Sequence, residues 1–173
     1  RIDIRLSDGF SALTPGEVKS AVLAGMGGGL MIRILKEGIR VVECLEECIL
    51  QPQSEIEKVR AFLLEEGFLF LEENMVREDG KYYPMMKVRM PGREKTEPEK
   101  RKKDWEKEQK QIWTEAEVRY GKLLLEGRNP VLREFLERER RIKQQILSRL
   151  ETEDSGRIRE RRKAVKEELE CTE

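Results

Sequence analysis

The sequence predicts an α/β protein whose strands and helices alternate around a mainly parallel sheet, with a helical part following it. Three observations carry this. Residues 1–90 alternate short apolar runs with amphipathic stretches bounded by glycine and proline. An Arg77-Glu78-Asp79-Gly80 stretch joins two strand-like runs, and Asp-Gly suits a tight hairpin turn. After Pro91-Gly92 the composition turns abruptly to charge, and apolar residues recur only at helical spacing.

The elements follow in order. Ile2-Asp3-Ile4-Arg5-Leu6 alternates apolar and polar residues as a strand does and runs into a Ser7-Asp8-Gly9 turn. Thr14-Pro15-Gly16-Glu17 reads as a second turn, and Ser20 to Ala24 as a strand buried on both faces. The glycines of Ala24-Gly25-Met26-Gly27-Gly28-Gly29-Leu30 then open a helix over 29–37, with Leu30, Ile34 and Leu35 on one face and Gly38 as its stop. Glu46 to Leu50 forms a further buried strand, ended by Gln51-Pro52. Ser54 and Glu57 have the spacing of a capping box before a helix whose apolar face is Ile56, Val59, Phe62 and Leu63, ended by Gly67. Phe68–Val76 and Tyr82–Met90 are the hairpin strands, one of which is expected as an antiparallel edge.

Behind residues 93–104, which are almost wholly charged, Trp105, Gln109, Ile112, Trp113 and Ala116 mark one helix. Asn129-Pro130 opens another that carries Leu132, Phe135, Leu136, Ile142, Ile146, Leu147 and Leu150. Glu153-Asp154-Ser155-Gly156 interrupts it, and Ile158, Val165 and Leu169 mark a last helix. We read residues 1–92 as an α/β domain and 93–173 as a helical domain, folded back as an antiparallel coiled coil.

Composition narrows the chemistry. The chain has 173 residues, with 35 basic and 35 acidic side chains and no histidine. Imidazole is therefore unavailable as base, metal ligand or triad member. Three cysteines without a CxxC pair suggest a reduced, cytoplasmic protein, and Cys44 and Cys48 lack further soft ligands nearby, so no metal is expected. No apolar run approaches the ~20 residues of a membrane span. Residues 1–92 hold 12 basic and 15 acidic side chains against 23 and 20 in the remainder, too even a split to identify a nucleic-acid partner by charge alone.

Four glycines within five positions raise the question of a phosphate cradle. A GxGxxG fingerprint begun at Gly25 and Gly27 would need its third glycine where Leu30 stands, and no Gly-Lys-Ser/Thr occurs. A tight strand–helix packing turn is the alternative, although packing would account for only one or two of the glycines. Asp8-Gly9-Phe10 and Gln51-Pro52-Gln53 also lie at predicted carboxyl ends of strands, where open α/β sheets bind ligands. The three loops are expected to converge at one edge of the sheet. The Arg138-Glu139-Arg140-Arg141 and Arg157–Lys163 runs are either solvated helix faces or a ridge that contacts phosphates.

Taken in series, Arg5-Leu6-Ser7-Asp8-Gly9, Val22 to Leu30, Leu50-Gln51-Pro52 and Glu78-Asp79-Gly80-Lys81-Tyr82-Tyr83 resemble the bacterial tRNA (adenine-N1)-methyltransferases that modify A22 of tRNA. Tyr120-Gly121 and Asn129-Pro130 echo the helical domain of that family less closely. The resemblance implies the C-terminal part of a Rossmann-like class I methyltransferase sheet followed by a coiled-coil domain. It implies S-adenosylmethionine as cofactor and tRNA as partner. It assigns Asp8, Gly9, Ala24 and Gly25 to the cofactor. Gly25, Met26, Gly27 and Gln51 fall to positioning of the base and methyl group, and Arg138, Arg140 and Arg141 to the RNA. Gln53 stands where the family commonly has Asn, and Tyr120-Gly121-Lys122 departs from Phe-Gly-Pro. The first two strands of such a sheet, with their glycine loop and ribose-binding acid, have no counterpart in the sequence and are expected ahead of Arg1. Two other classes remain open: a non-catalytic protein- or RNA-binding module, and, against the substitution at Leu30, a nucleotide-dependent oxidoreductase.

Overall fold

The computed structural model describes residues 2–90, 112–150 and 156–170. Its strands are β1 (Ser20–Gly27), β2 (Glu47–Ser54), β3 (Leu69–Glu78) and β4 (Lys81–Arg89). The helices are α1 (Gly28–Glu37), α2 (Ile39–Val42), α3 (Ile56–Glu65), α4 (Glu115–Tyr120), α5 (Lys122–Glu126), α6 (Pro130–Leu150) and α7 (Gly156–Glu170). The sheet order is β1-β2-β4-β3, with β1 and β2 parallel and β4 antiparallel to both of its neighbours. The antiparallel strand is thus an inner one and β3 forms the edge, which corrects the expected antiparallel edge. A two-residue turn explains the order: Asp79 and Gly80 both have positive φ, so β4 folds straight back along β3 and its other side is left to pair with β2.

The main core lies between the sheet and helices α1 and α3. Met31 and Leu35 of α1, Leu50 of β2, Val59 and Leu63 of α3, and Met86 and Val88 of β4 are all fully buried. The inward stripe of α1 is therefore Met31 and Leu35, with Ile34 packed beside them, whereas Leu30 is exposed. Cys48 sits in this core, and burial pushes its thiol up to about 12. We expect Cys48 to resist alkylation by iodoacetamide in the native protein and to react on unfolding in urea, as read by mass spectrometry of the modified peptide; Cys44, which is exposed, reacts natively.

Several local expectations are corrected. Residues 2–6 form no strand, and Ile2, Ile4 and Leu6 are exposed. Their alternation is a strand signal without, among the described residues, a neighbouring strand to take up its backbone groups. Ser54 is the last residue of β2 and not a helix cap. The cap position of α3 is Glu55, in the left-handed region (φ 53), with no side-chain cap bond. Finally, β2 does not stop at Gln51-Pro52. Its pairing with β4 ends at Leu50, and beyond that, among the described residues, β1 alone pairs with it, so the missing N–H of Pro52 is tolerated.

A second cluster joins the helices to the sheet. Met75 of β3 packs with Tyr120, Leu124 and Leu132, with Tyr82 and Phe135 alongside, and the Trp113 ring lies tilted against Phe70 at 4.6 Å. Asn129 caps α6 by accepting from the N–H groups of Val131 and Leu132. One buried ion pair dominates the polar interactions of this region. Arg60 Nε donates to Glu73 Oε1 at 2.8 Å, with side chains 1% and 0% exposed. Arg60 Nη1 also donates to the carbonyls of Val118 and Arg119, and Nη2 to that of Tyr120. Glu73 Oε2 accepts from the N–H of Leu123. The cation therefore meets the carbonyl end of α4 and the anion the amide end of α5, with Gly121 at φ +99 between them. Burial pushes the Arg60 guanidinium down while the adjacent carboxylate counters it. Helix α7 contacts α6, and its Val165 is buried. The predicted positions Trp105 and Gln109 and the break at 153–155 lie outside the described residues.

Candidate functional site

The carboxyl ends of β1 and β2 meet at two register shifts. Ala24 pairs with Gln51 and Met26 with Pro52, which leaves Gly25 as an extra residue in β1; Gly27 then pairs with Ser54, leaving Gln53 extra in β2. Such irregularities re-aim the residues they contain. Gly25 takes φ +77, which glycine adopts without the clash of a Cβ. Its N–H donates to Gln51 Oε1 at 2.9 Å, and Gln51 Nε2 donates to the Pro52 carbonyl at 3.2 Å. Both ends of the Gln51 amide are thus engaged in bracing the loop. Ala24, Gly25 and Gln53 are exposed, with Met26, Gly27 and Gln51 half-buried, so the backbone at Gly25 is open to a ligand.

The four glycines differ in what they are for. A Cβ on Gly28 would lie 2.6 Å from the Ser54 carbonyl oxygen and 2.9 Å from Val59, while one on Gly27 would meet Ser54 Oγ at 3.2 Å and one on Gly29 the Glu55 carboxylate at 3.3 Å. At Gly25 the same atom would meet only Gln53 Nε2, at 3.9 Å. Close packing of α1 against the β2–α3 turn therefore bears on three of the four, more than the one or two expected. Gly25 alone combines an open approach with a backbone conformation that favours glycine.

The amino end of α1 is occupied by the chain itself. Glu55 Oε2 accepts from the Gly29 N–H at 3.2 Å, and Glu55 Oε1 pairs with Lys58 at 2.7 Å. Lys58 first, and the Gly29 N–H after it, hold the Glu55 carboxyl below its ordinary range. A carboxylate at that amide disfavours a phosphate in the same place, which agrees with the failed GxGxxG match.

Two of the three predicted loops come together here. The third does not: Asp8 pairs with Arg33 at 3.5 Å, and a Cβ on Gly9 would meet Ile34 at 3.1 Å. Both partners lie on the middle of α1, roughly 8 Å along the helix from its glycine start. The physical reason is that residues 2–6 are unpaired, so no sheet pairing fixes the loop at a strand end. Among the arginines, Arg138 donates to the Gly80 carbonyl at 3.1 Å and lies over the Tyr82 ring, as does Arg77. It fastens α6 to the hairpin, together with an Arg77–Glu134 ion pair. Arg140 and Arg141 are exposed on α6, and Arg141 Nε donates to the Glu137 carbonyl.

Arg60, Glu73 and Gly121 are not legible as partners in the sequence. The available signal is an arginine within the apolar Ile56, Val59, Phe62, Leu63 stripe and a glutamate alternating with Met75. Among the described residues, no group of three or more histidine, cysteine or acidic side chains could hold a metal, and no helix is long and apolar enough to cross a membrane.

The family model described as tRNA (adenine(22)-N(1))-methyltransferase matches residues 1–173. The chain belongs to that family. The methyltransferase relative of the same description from Bacillus subtilis (strain 168) is 34% identical over 85 residues, which is 49% of this chain and 36% of that protein. The chain thus spans about a third of the curated relative it matches. Among solved structures, an uncharacterized protein from Listeria monocytogenes serotype 4b superposes with a TM-score of 0.79 at 22% identity, covering 98% of this chain and 68% of that one. Streptococcus pneumoniae Sp1610, solved in complex with S-adenosyl-L-methionine, gives a TM-score of 0.69 at 25% identity, covering 97% and 65%. The methyltransferase fold of the family accounts for the mixed sheet and its flanking helices.

Proposed function

We propose that the protein transfers a methyl group from S-adenosylmethionine to N1 of adenine 22 in tRNA, the activity for which its family is described. The observation that carries this reading is the open, glycine-built corner at Gly25, braced by Gln51, in a chain whose residues 1–173 match the family model. S-adenosylmethionine supplies an already activated methyl, and adenine N1 has its own lone pair, so positioning accounts for much of the rate without a side-chain nucleophile. That suits a chain without histidine.

In this reading Gly25 and Met26 form the wall where base and methyl group meet, Gly27 and Gly28 hold that wall against the β2–α3 turn, and Gln51 fixes its shape. Ala24 and Gly25 border the cofactor. Asp8 and Gly9, which the resemblance assigns to the cofactor, contact the middle of α1 and lie apart from this corner. Gln53, whose amide nitrogen lies nearest the open side of Gly25, is the side chain best placed to meet the base. Residues 1–92 form the methyltransferase part and 93–173 the helical part, whose coiled-coil packing and grip on tRNA are part of the proposal, as is action in the cytoplasm.

Titration calorimetry with S-adenosylmethionine, on the protein with all its segments, tests the reading: saturable binding is expected, and none supports a non-catalytic binding module. For the RNA, the double charge reversal Arg140→Glu/Arg141→Glu is expected to weaken tRNA binding and to lower its salt slope by about 1 for each phosphate no longer bound. Unchanged affinity in filter binding over a salt series assigns these arginines to a solvated face.

A further inference from the structure

The buried ion pair between α3 and β3 lies outside the glycine corner, and the proposed chemistry makes no direct use of it. Its geometry nonetheless joins the two parts of the chain. Arg60 comes from a helix of the main core and Glu73 from the edge strand, yet their remaining hydrogen-bonding capacity is spent on backbone groups of residues 118–123. Gly121 lies against both: a Cβ there would stand 2.7 Å from Glu73 Oε1 and 2.8 Å from Arg60 Nη2. The α4–α5 corner is thus pressed onto charged groups whose exposure is nearly zero.

We infer that Arg60 and Glu73 are positioning residues that set the direction in which the helical part leaves the α/β part, and so align RNA held by the helices with the Gly25 corner. This rests on the proposed methyl transfer to tRNA. Three features favour an orienting role over simple stabilisation. The buried pair adds little net stability of its own, because desolvation offsets much of the attraction within it. The planar guanidinium addresses three carbonyls in fixed directions, which an apolar contact cannot do. The charges also match the helix ends they meet, cation at the carbonyl end of α4 and anion at the amide end of α5.

The test is the double variant Arg60→Met/Glu73→Leu, which removes both charges together and leaves neither buried alone. Hydrogen exchange is measured by mass spectrometry along the whole protein, alongside cofactor affinity and steady-state methylation of tRNA. Exchange is expected to rise in residues 115–126 while β1–β4 keep their protection. The kcat/KM for tRNA is expected to fall on the order of a hundredfold, with cofactor affinity unchanged. Arg60→Lys, which keeps the charge but not the fork, is expected to lie between the two. Unchanged exchange in 115–126, loosening spread evenly over the sheet, or a normal kcat/KM in a variant whose α4–α5 corner has loosened would each overturn the inference. Absence of methylation by the unaltered protein counts against the proposed function instead, and the exchange measurement then still decides whether the pair fastens the corner.

Discussion

Glu73→Leu is expected to destabilise the protein by about 3–5 kcal/mol, read as a shift of the urea midpoint at unchanged slope. The single substitution leaves the Arg60 guanidinium buried with no carboxylate at 2.8 Å and strips the Leu123 N–H of its acceptor. Arg60→Met is expected to cost a similar amount, since it leaves the Glu73 carboxylate buried without its cation and removes the guanidinium's bonds to three carbonyls. Combining the two removes both orphaned charges, so the double variant is expected to be well less destabilised than the sum of the singles. Additive effects would mean that the two side chains act independently, contrary to their direct hydrogen bond.

Gly28→Ala carries the second large effect. The new methyl would lie 2.6 Å from the Ser54 carbonyl oxygen, a backbone atom that cannot turn aside, and 2.9 Å from Val59 in the core. Relief requires α1 to move from the β2–α3 turn, at about 1–3 kcal/mol. The same movement displaces Gly25 from Gln51, and misplacement on the order of 1 Å costs roughly a hundredfold in rate where positioning supplies the catalysis. Gly25→Ala provides the contrast. It has room, but φ +77 costs it roughly 1–2 kcal/mol. Thermal melts and methyl-transfer rates for both variants are the measurement. Native stability and rate in Gly28→Ala would show that the turn yields at little cost.

These effects also mark what the sequence can reveal. The α1 and α3 helices, the Asp79-Gly80 hairpin and the Asn129-Pro130 helix start are each written in local signals of periodicity, turn chemistry or capping, and the structure has them close to their predicted places. The glycine loop is legible as a candidate site, but its division of labour is not. That division depends on Ser54, Glu55 and Val59, which reach the loop only once α3 has packed on α1. The Ser54-Glu57 capping box fails for a related reason: β2 continues to Ser54 beside β1, and the strand pairing outweighs the local cap. Asp8 shows a different limit. A strand at 2–6 needs a neighbour, and alternation alone cannot supply one. Arg60 and Glu73 lie 13 residues apart and are joined to residues 118–123 by packing alone. Charged residues in two apolar stripes signal that something is buried, but not with what.

Methyl transfer to a single base is the activity on which the roles given to Gly25, Gln51 and the helical part all depend. It is measured by incubating the protein, with all its segments present, with S-adenosylmethionine and an unmodified tRNA transcript, then mapping methyl groups by nuclease digestion and mass spectrometry. The expected product is one 1-methyladenosine per tRNA, at position 22, and none when that adenine is replaced by guanine. A protein that binds S-adenosylmethionine and tRNA yet leaves that adenine unmethylated would contradict the assignment.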